Sequence, residues 1–177
     1  MDHSYMSYYY DEMLENILKE AMTEEYWSVE RAFGGAYDDF RNKATKEVDE
    51  TVEIIMESYH IVEAKFIKEM YLRGAYDLEV RYRTGVAISD SLKEVGQEYE
   101  QNRLQIHYDI RKTLKKQEDI CKELDKEQFA VDQLRKIASS TEHMCYKALM
   151  KKISPIEDVE RRCMYMQGAL DRARMIS

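Results

Sequence analysis

The chain has 177 residues and a net charge of −8, and 44% of its residues are apolar. This length suits one domain or two small ones, and the apolar fraction is high enough to form a core, which excludes a disordered chain. One proline and six glycines disfavour sheets and irregular folds, because turns depend on these two residues. The abundance of Glu, Lys, Leu, Met and Ala predicts an all-α protein.

The termini and the cysteines predict a cytoplasmic location. Cys121, Cys145 and Cys163 are far apart and odd in number, so they indicate neither a disulfide framework nor a zinc site. The N-terminus is acidic and rich in tyrosine, unlike a signal peptide, which is basic and then apolar. No run of about 18 uncharged apolar residues is present, so no membrane span is predicted.

The negative charge is concentrated at the N-terminal end. Residues 1–60 hold 15 acidic and 5 basic residues, a net charge of −10, whereas residues 61–177 hold 20 acidic and 22 basic residues, a net charge of +2. Such a field repels nucleic acid and anionic membranes and attracts basic surfaces. The predicted partner is therefore a protein with a basic surface, without direct membrane binding.

The first third of the chain predicts two helices. Apolar residues recur at helical spacing over 5–22. Thr23 is a suitable cap for a second, short helix, and the Glu residues that follow it suit the positive end of the helix dipole. Gly34-Gly35 is expected to end this helix, because glycine adopts the left-handed conformation common just past a helix end.

A third helix is expected from Asp38 or Asp39 to Thr84, with Gly85 as its C-cap. Gly74 inside this helix costs about 1 kcal/mol relative to alanine and is interpreted as a close helix–helix crossing. Apolar residues alternate at spacings of three and four, which is typical of coiled-coil packing; they are Val52, Ile55, Tyr59, Val62 and Phe66.

The second half predicts one long helix followed by shorter ones. Residues 97–153 contain neither glycine nor proline, so a helix that opens near Ser89 is expected to run far along this stretch, with a break near Thr141. Ser154-Pro155 has the signature of a helix start. No internal repeat is evident.

The predicted architecture is therefore a helical bundle or an elongated hairpin of two long helices with coiled-coil-like packing. A homodimer through the long helix is expected. Residues 1–86 would form an acidic, aromatic-rich region. Residues 87–177 would hold the long helix and the C-terminal helices, unless the whole chain forms one continuous domain.

Two groups of residues have the spacing of chemical sites. Glu57 and His60 lie on one helix face at the spacing used by di-iron carboxylate bundles. Those proteins need a second Glu-x-x-His, and His3, His107 and His143 do not supply one. The sequence therefore favours a helix-surface Glu beside a partly buried His, with no metal or other cofactor.

A basic patch lies on the predicted long helix, at Arg111, Lys112, Lys115 and Lys116. Such a patch is able to bind phosphate groups of nucleic acid. Asp109, Glu118 and Asp119 flank it, however, and balanced charge is typical of an exposed helix face. Nucleic-acid binding and catalysis are both disfavoured, because no phosphate-binding loop or nucleophile motif occurs.

The aromatic residues are the most unusual feature, with 14 tyrosines against four phenylalanines and one tryptophan. Tyr and Met are enriched in interface cores, and acidic aromatic surfaces bind arginine-rich ones through ion pairs and cation–π contacts. The alternative is that these aromatics fill the core. The predicted partner-binding residues are Tyr5, Tyr8, Tyr9, Asp11, Glu12, Glu24, Glu25, Trp27, Asp38 and Asp39.

Residues 49–85 resemble small helical proteins of uncharacterised function from Firmicutes and their prophages. The resemblance rests on Glu63, Phe66-Ile67, Tyr71 and Gly74-Ala75 and covers about a fifth of the chain; the glycine expected after Phe66-Ile67 is absent. It implies a mobile-element origin, where small acidic helical proteins often inhibit host nucleases, including CRISPR effectors.

The leading functional hypothesis is thus a non-catalytic protein-binding factor, and within that class an anti-CRISPR-like inhibitor of a host nucleic-acid-handling complex. A structural coiled-coil protein used in assembly is one alternative, and a ferritin-like metal-binding protein is the other.

Overall fold

The computed structural model describes residues 3–177, with side chains from Tyr5 onward. The first two residues of the predicted region 1–86 lie outside this part. The described chain contains helices and no strand, which confirms the all-α prediction. The helices are α1 (His3–Ala21), α2 (Glu24–Arg41), α3 (Lys46–Arg83), α4 (Ile88–Leu114), α5 (Glu118–Ile137), α6 (Ser140–Met150) and α7 (Ile153–Ile176).

The predicted hairpin of two long helices is wrong, because the expected long helix has an unpredicted break in addition to the one expected near Thr141. It first breaks after Leu114, where Arg111 and Lys112 occupy the last turn of α4 and Glu118 and Asp119 the first turn of α5. Cations stabilise a helix C-terminus and carboxylates an N-terminus. The order of these charges therefore marks the end of one helix and the start of the next, although this stretch contains neither glycine nor proline.

The second break falls at Ser139, two residues before the predicted cap. Its side chain accepts a hydrogen bond from the backbone N–H of Glu142, and the Glu142 carboxylate accepts from the backbone N–H of Ser139. This capping box satisfies two N–H groups that the first turn of α6 would otherwise leave unpaired.

Gly34-Gly35 does not end α2, contrary to the prediction. The helix continues to Arg41, and within the described chain the only glycine with a positive φ is Gly85, the predicted cap of α3. Tyr37 and Phe40 continue the apolar stripe of Phe33 beyond the glycines; Phe40 is buried in a hydrophobic core, and Phe33 and Tyr37 pack against that core. This packing outweighs the helix penalty of two glycines.

The chain folds into two compact units that interleave in sequence. Unit 1 comprises residues 1–23, 65–113 and 159–177, and unit 2 comprises residues 24–64 and 114–158. The division therefore differs from the predicted regions 1–86 and 87–177. The physical reason in unit 1 is that α7 pairs with the second half of α3.

In unit 1 the backbones of α3 and α7 touch at two glycines. A Cβ atom added at Gly74 would lie 1.8 Å from the carbonyl oxygen of Tyr165, and one added at Gly168 would lie 1.9 Å from the carbonyl oxygen of Tyr71. No side chain fits at either place. The close crossing predicted at Gly74 is confirmed, and its second glycine lies on α7.

The crossing is built from an eight-residue motif that occurs twice, so the expectation of no internal repeat was wrong. Met-Tyr-x-x-Gly-Ala-x-Asp is found at 70–77 and at 164–171. The Tyr71 hydroxyl donates a 2.9 Å hydrogen bond to Asp171, and the Tyr165 hydroxyl donates a 2.5 Å one to Asp77. The two antiparallel motifs thus make equivalent contacts with each other.

Unit 2 is a small bundle of α2, the first half of α3, α5 and α6. Its hydrophobic core is made of Phe40, Val48, Val52, Ile55, Met56, Ala130, Leu134, Tyr146, Leu149 and Ile153. Buried Glu142 connects the start of α6 with the start of α3, because its carboxylate also accepts a 2.7 Å hydrogen bond from the backbone N–H of Thr45, just before α3. The Ser139 hydroxyl, which donates a 2.6 Å hydrogen bond to this carboxylate, and the backbone N–H groups of Thr45 and Ser139 lower the pKa of Glu142 to about 2.

We expect Gly74→Ala and Gly168→Ala each to lower the free energy of unfolding by about 2–3 kcal/mol or more, because the new methyl group meets rigid backbone. The matched control is Gly35→Ala, since a Cβ atom there meets nothing within 4 Å. That change should raise the free energy of unfolding by about 0.5–1 kcal/mol. Urea denaturation followed by circular dichroism measures all three, and equal effects would contradict the crossing.

We expect Glu142→Gln to destabilise unit 2 at neutral pH by about 1–3 kcal/mol, because a charged hydrogen-bond acceptor is lost. The folded pKa lies below the ordinary value of 4.5, so this stabilisation is present above that value and is lost as the pH falls toward 2. The difference between wild type and variant should therefore shrink at about pH 3. The control is Glu50→Gln at an exposed position. Urea denaturation at pH 7 and at about pH 3 measures the difference in free energy of unfolding between wild type and variant. A difference that is the same at both pH values would contradict the role of Glu142.

Candidate protein-binding surface

The predicted partner-binding residues of α1 lie in unit 1 and divide between surface and interior. Tyr5 and Tyr8 are 53% and 64% exposed, and Glu12 is exposed. Tyr9 is half-buried, and burial is the largest cause that raises its pKa. Asp11 is occupied within the unit, because its carboxylate accepts a 2.7 Å hydrogen bond from Lys68.

Tyr5, Tyr8, Tyr9 and Tyr10 form an aromatic cluster on α1 with Met6, and the last two of these belong to the core of unit 1. Met6 and Tyr10 are 1% and 6% exposed, and the Tyr10 ring centroid lies 5.1 Å from that of Tyr71. Burial raises the pKa of Tyr10 to about 12. The two interpretations of this cluster therefore each apply to part of it: one face of α1 is core and the other is surface.

The predicted residues of α2 lie in unit 2 and are all exposed. Glu24, Glu25 and Trp27 are at the start of the helix, and Asp38 and Asp39 are near its end. Trp27 is 48% exposed. The structure thus separates the ten predicted residues into two sets, five on α1 and five on α2, which belong to different units.

The units differ sharply in charge. Unit 1 holds 15 acidic and 14 basic residues, a net charge of −1, whereas unit 2 holds 20 acidic and 13 basic residues, a net charge of −7. Within unit 2, residues 114–158 are balanced at nine of each, so residues 24–64 carry the whole excess. The acidic field predicted for the N-terminal third is therefore a property of α2 and the first half of α3.

These two helices enclose an open groove of about 480 Å³ in unit 2. Its lining is mainly apolar and aromatic with a few polar groups, as in many recognition sites; it comprises Phe33, Tyr37, Glu53, Met56, Glu57, His60 and Ile61. Ile61 is 41% exposed. The groove thus combines apolar area with two carboxylates.

One arginine of the chain already occupies the edge of this groove. The Arg41 guanidinium lies 5.8 Å from the centroid of the Tyr37 ring and donates a 2.9 Å hydrogen bond to Glu53 and a 3.2 Å one to Asp49. The ring and the two carboxylates therefore recognise a guanidinium by stacking and by charge-assisted hydrogen bonds.

The Glu57–His60 pair lies on this groove and has no metal-site geometry. The Glu57 carboxylate accepts a 2.9 Å hydrogen bond from Lys126 of α5. Partial desolvation lowers the pKa of His60. From residue 5 onward, the described side chains include no group of three or more His, Cys, Asp or Glu residues able to hold a metal ion.

The predicted basic patch is explained by the helix break described above. Arg111 and Lys112 lie in the last turn of α4, and Lys115 and Lys116 lie in the turn that follows. The Cys121 thiol donates a 3.2 Å hydrogen bond to the carbonyl oxygen of Lys115 in this turn. The cations therefore stabilise a helix terminus, which accounts for their spacing without a phosphate ligand.

The predicted partner-binding residues do not include the apolar lining of the groove, namely Phe33, Met56 and Ile61. Gly34-Gly35 was interpreted as a helix end, so Tyr37 was separated from Phe33 although both lie on one face of α2. The signal was present in the spacing of Phe33, Tyr37 and Phe40, which recur at four and three residues.

Comparisons with protein-family models, with curated proteins and with solved structures each found no match to this chain. Among the described residues, every helix is either too short or too polar to cross a membrane.

We expect His60 to titrate with a midpoint below the ordinary value of 6.5, because the groove wall desolvates its charged form. Tyr37→Ala should raise this midpoint toward 6.5 by opening the groove to water. NMR of the imidazole signals as a function of pH measures both. Exposed Phe129→Ala, in the same unit but outside the groove lining, should leave the midpoint unchanged, and an equal shift there would contradict the assignment.

Proposed function

We propose that this protein is a non-catalytic binding factor that captures a basic segment of another protein in the α2–α3 groove of unit 2. The observation that carries the proposal is the coincidence of the groove with the acidic excess. The groove lies in residues 24–64, which carry a net charge of −7. Charge of this kind steers a basic partner, while apolar lining supplies affinity.

The contacts of Arg41 support arginine as the preferred partner side chain. This residue pairs with Tyr37, Asp49 and Glu53 at the groove edge. Glu57 also lines the groove, where it accepts a hydrogen bond from Lys126, and Asp38 and Asp39 add exposed carboxylates to α2 outside the groove lining. A basic segment with one apolar anchor would place the anchor against Phe33, Met56 and Ile61, and the acidic residues of α2 and α3 would attract its cations.

The narrower proposal is an inhibitor that covers a basic nucleic-acid-binding surface of a host defence complex. It rests on the acidic charge of residues 24–64 and on the resemblance of residues 49–85 to prophage proteins. An acidic surface competes with nucleic acid for the same arginines and lysines, because both present anionic groups to them.

The test is affinity capture from an extract of the organism that carries the gene. Wild type is compared with Ile61→Asp, which places a charge in the groove, and with the charge reversal of Glu24, Glu25, Asp38 and Asp39 to Lys. Each variant should capture at least about 90% less of the basic protein than wild type. The reason is that each is expected to weaken binding by more than about 1.4 kcal/mol, which is a tenfold loss of affinity. Capture by wild type should also fall as salt rises.

Matched controls lie in the same unit outside the groove. Phe129→Asp changes an apolar residue that is 68% exposed, and the charge reversal of Glu118, Asp119, Glu123 and Asp125 to Lys changes the same number of charges on α5. Both controls should retain the partner, and Phe129→Asp should also leave the helical circular dichroism spectrum unchanged. The proposal is refuted if Ile61→Asp, the charge reversal on α2 and the controls all retain the same proteins.

A further inference from the structure

Helix α4 of unit 1 presents two large apolar side chains to solvent in the middle of its length. Leu104 is 78% exposed and Tyr108 is 60% exposed. They are four residues apart, so they are neighbours on one helix face. The opposite face of α4 is buried in unit 1 through Val95, Tyr99 and Ile106. The Leu104–Tyr108 face is therefore distinct from the face that packs in the unit.

The charges on α4 are polarised along its axis. Residues 88–101 hold four acidic residues and one basic residue, whereas residues 102–114 hold three basic residues and one acidic residue. Arg81 binds Glu94 and Glu98 within unit 1 at 3.2 Å and 2.5 Å. Glu100 is exposed one turn before Leu104, and Lys112 is exposed one turn after Tyr108.

We propose that α4 binds the α4 helix of a second copy of this chain in antiparallel orientation. Leu104 then packs against the partner's Tyr108, and Glu100 faces the partner's Lys112. The helix is self-complementary in this arrangement, because the two-fold operation exchanges its acidic and basic halves. The apolar pair is covered at the centre, and two equivalent ion pairs flank it.

The charge pattern selects the orientation. A parallel pair would place Glu100 against the same residue of the second copy and Lys112 against its counterpart, so like charges would face each other. The near-neutral charge of unit 1, −1, also allows two copies of this surface to approach without strong repulsion. This inference is independent of the groove in unit 2, since the residues involved are different.

The test is sedimentation equilibrium of the full chain over a wide range of concentrations. Wild type should show a reversible monomer–dimer equilibrium, and Leu104→Glu should abolish the dimer. Glu100→Lys and Lys112→Glu should each weaken self-association by roughly tenfold, because like charges replace two ion pairs. These three positions are exposed, so helicity and thermal stability of the monomer should not change.

Two combinations distinguish the antiparallel helix pair from other contacts. The double variant Glu100→Lys/Lys112→Glu should regain the dimer, and an equimolar mixture of the two single variants should form a mixed dimer. Phe129→Glu is the control for an exposed apolar residue elsewhere and should leave the dimer intact. A wild-type protein that stays monomeric, a dimer that survives Leu104→Glu, or a mixture that stays monomeric would each overturn the proposal.

Discussion

The contact between the backbones of α3 and α7 determines the organisation of unit 1. Gly74 and Gly168 are the residues at which each helix touches the carbonyl oxygen of a tyrosine on the other. Only at this separation do the Tyr71 and Tyr165 hydroxyls reach Asp171 and Asp77. The contact joins residues almost a hundred positions apart, so the N-terminal, central and C-terminal segments belong to one unit. Helix α1 then packs on this pair through Tyr10, whose ring lies against Tyr71.

Buried polar groups make the crossing specific as well as tight. Asp171 is 2% exposed, and burial raises its pKa, while hydrogen bonds from Tyr71 and Gln167 oppose that rise. Arg174 adds a 3.1 Å ion pair to the same carboxylate. A buried carboxylate without these donors would be costly, so a sliding of α7 along α3 is penalised. The duplicated motif therefore encodes both the distance and the register of the two helices.

The sequence predicted the helical class, α1, the end of α3 at Gly85 and a close helix crossing at Gly74, because each of these depends on local chemistry. It failed at two positions where local chemistry is ambiguous. Gly34-Gly35 has the composition of a helix stop, but the packing of Phe40 in the core of unit 2 carries the helix through it. The end of α4 lacks glycine and proline, and only the order of charges from Arg111 to Asp119 indicates it.

The candidate surface could be predicted only in part, for the same reason. Charge is additive along the chain, so the acidic excess was visible without a fold. A groove is not local: it needs Phe33 and Tyr37 on one helix to face Met56 and Ile61 on another. The fold also pairs charges that are distant in sequence. In unit 1 the acidic residues of α1 form ion pairs with basic residues of other helices, such as Asp11 with Lys68 and Glu20 with Arg174.

The two proposals follow the partition of charge between the two units. Unit 2, with a net charge of −7, repels another copy of itself and favours a partner of opposite sign, which is a heterologous contact. Unit 1 is nearly neutral, and its helix α4 carries both signs in an order that matches its own reverse. Such a surface favours an isologous contact. In the two proposals, a basic segment of another protein and a second copy of the chain would therefore bind through different residues.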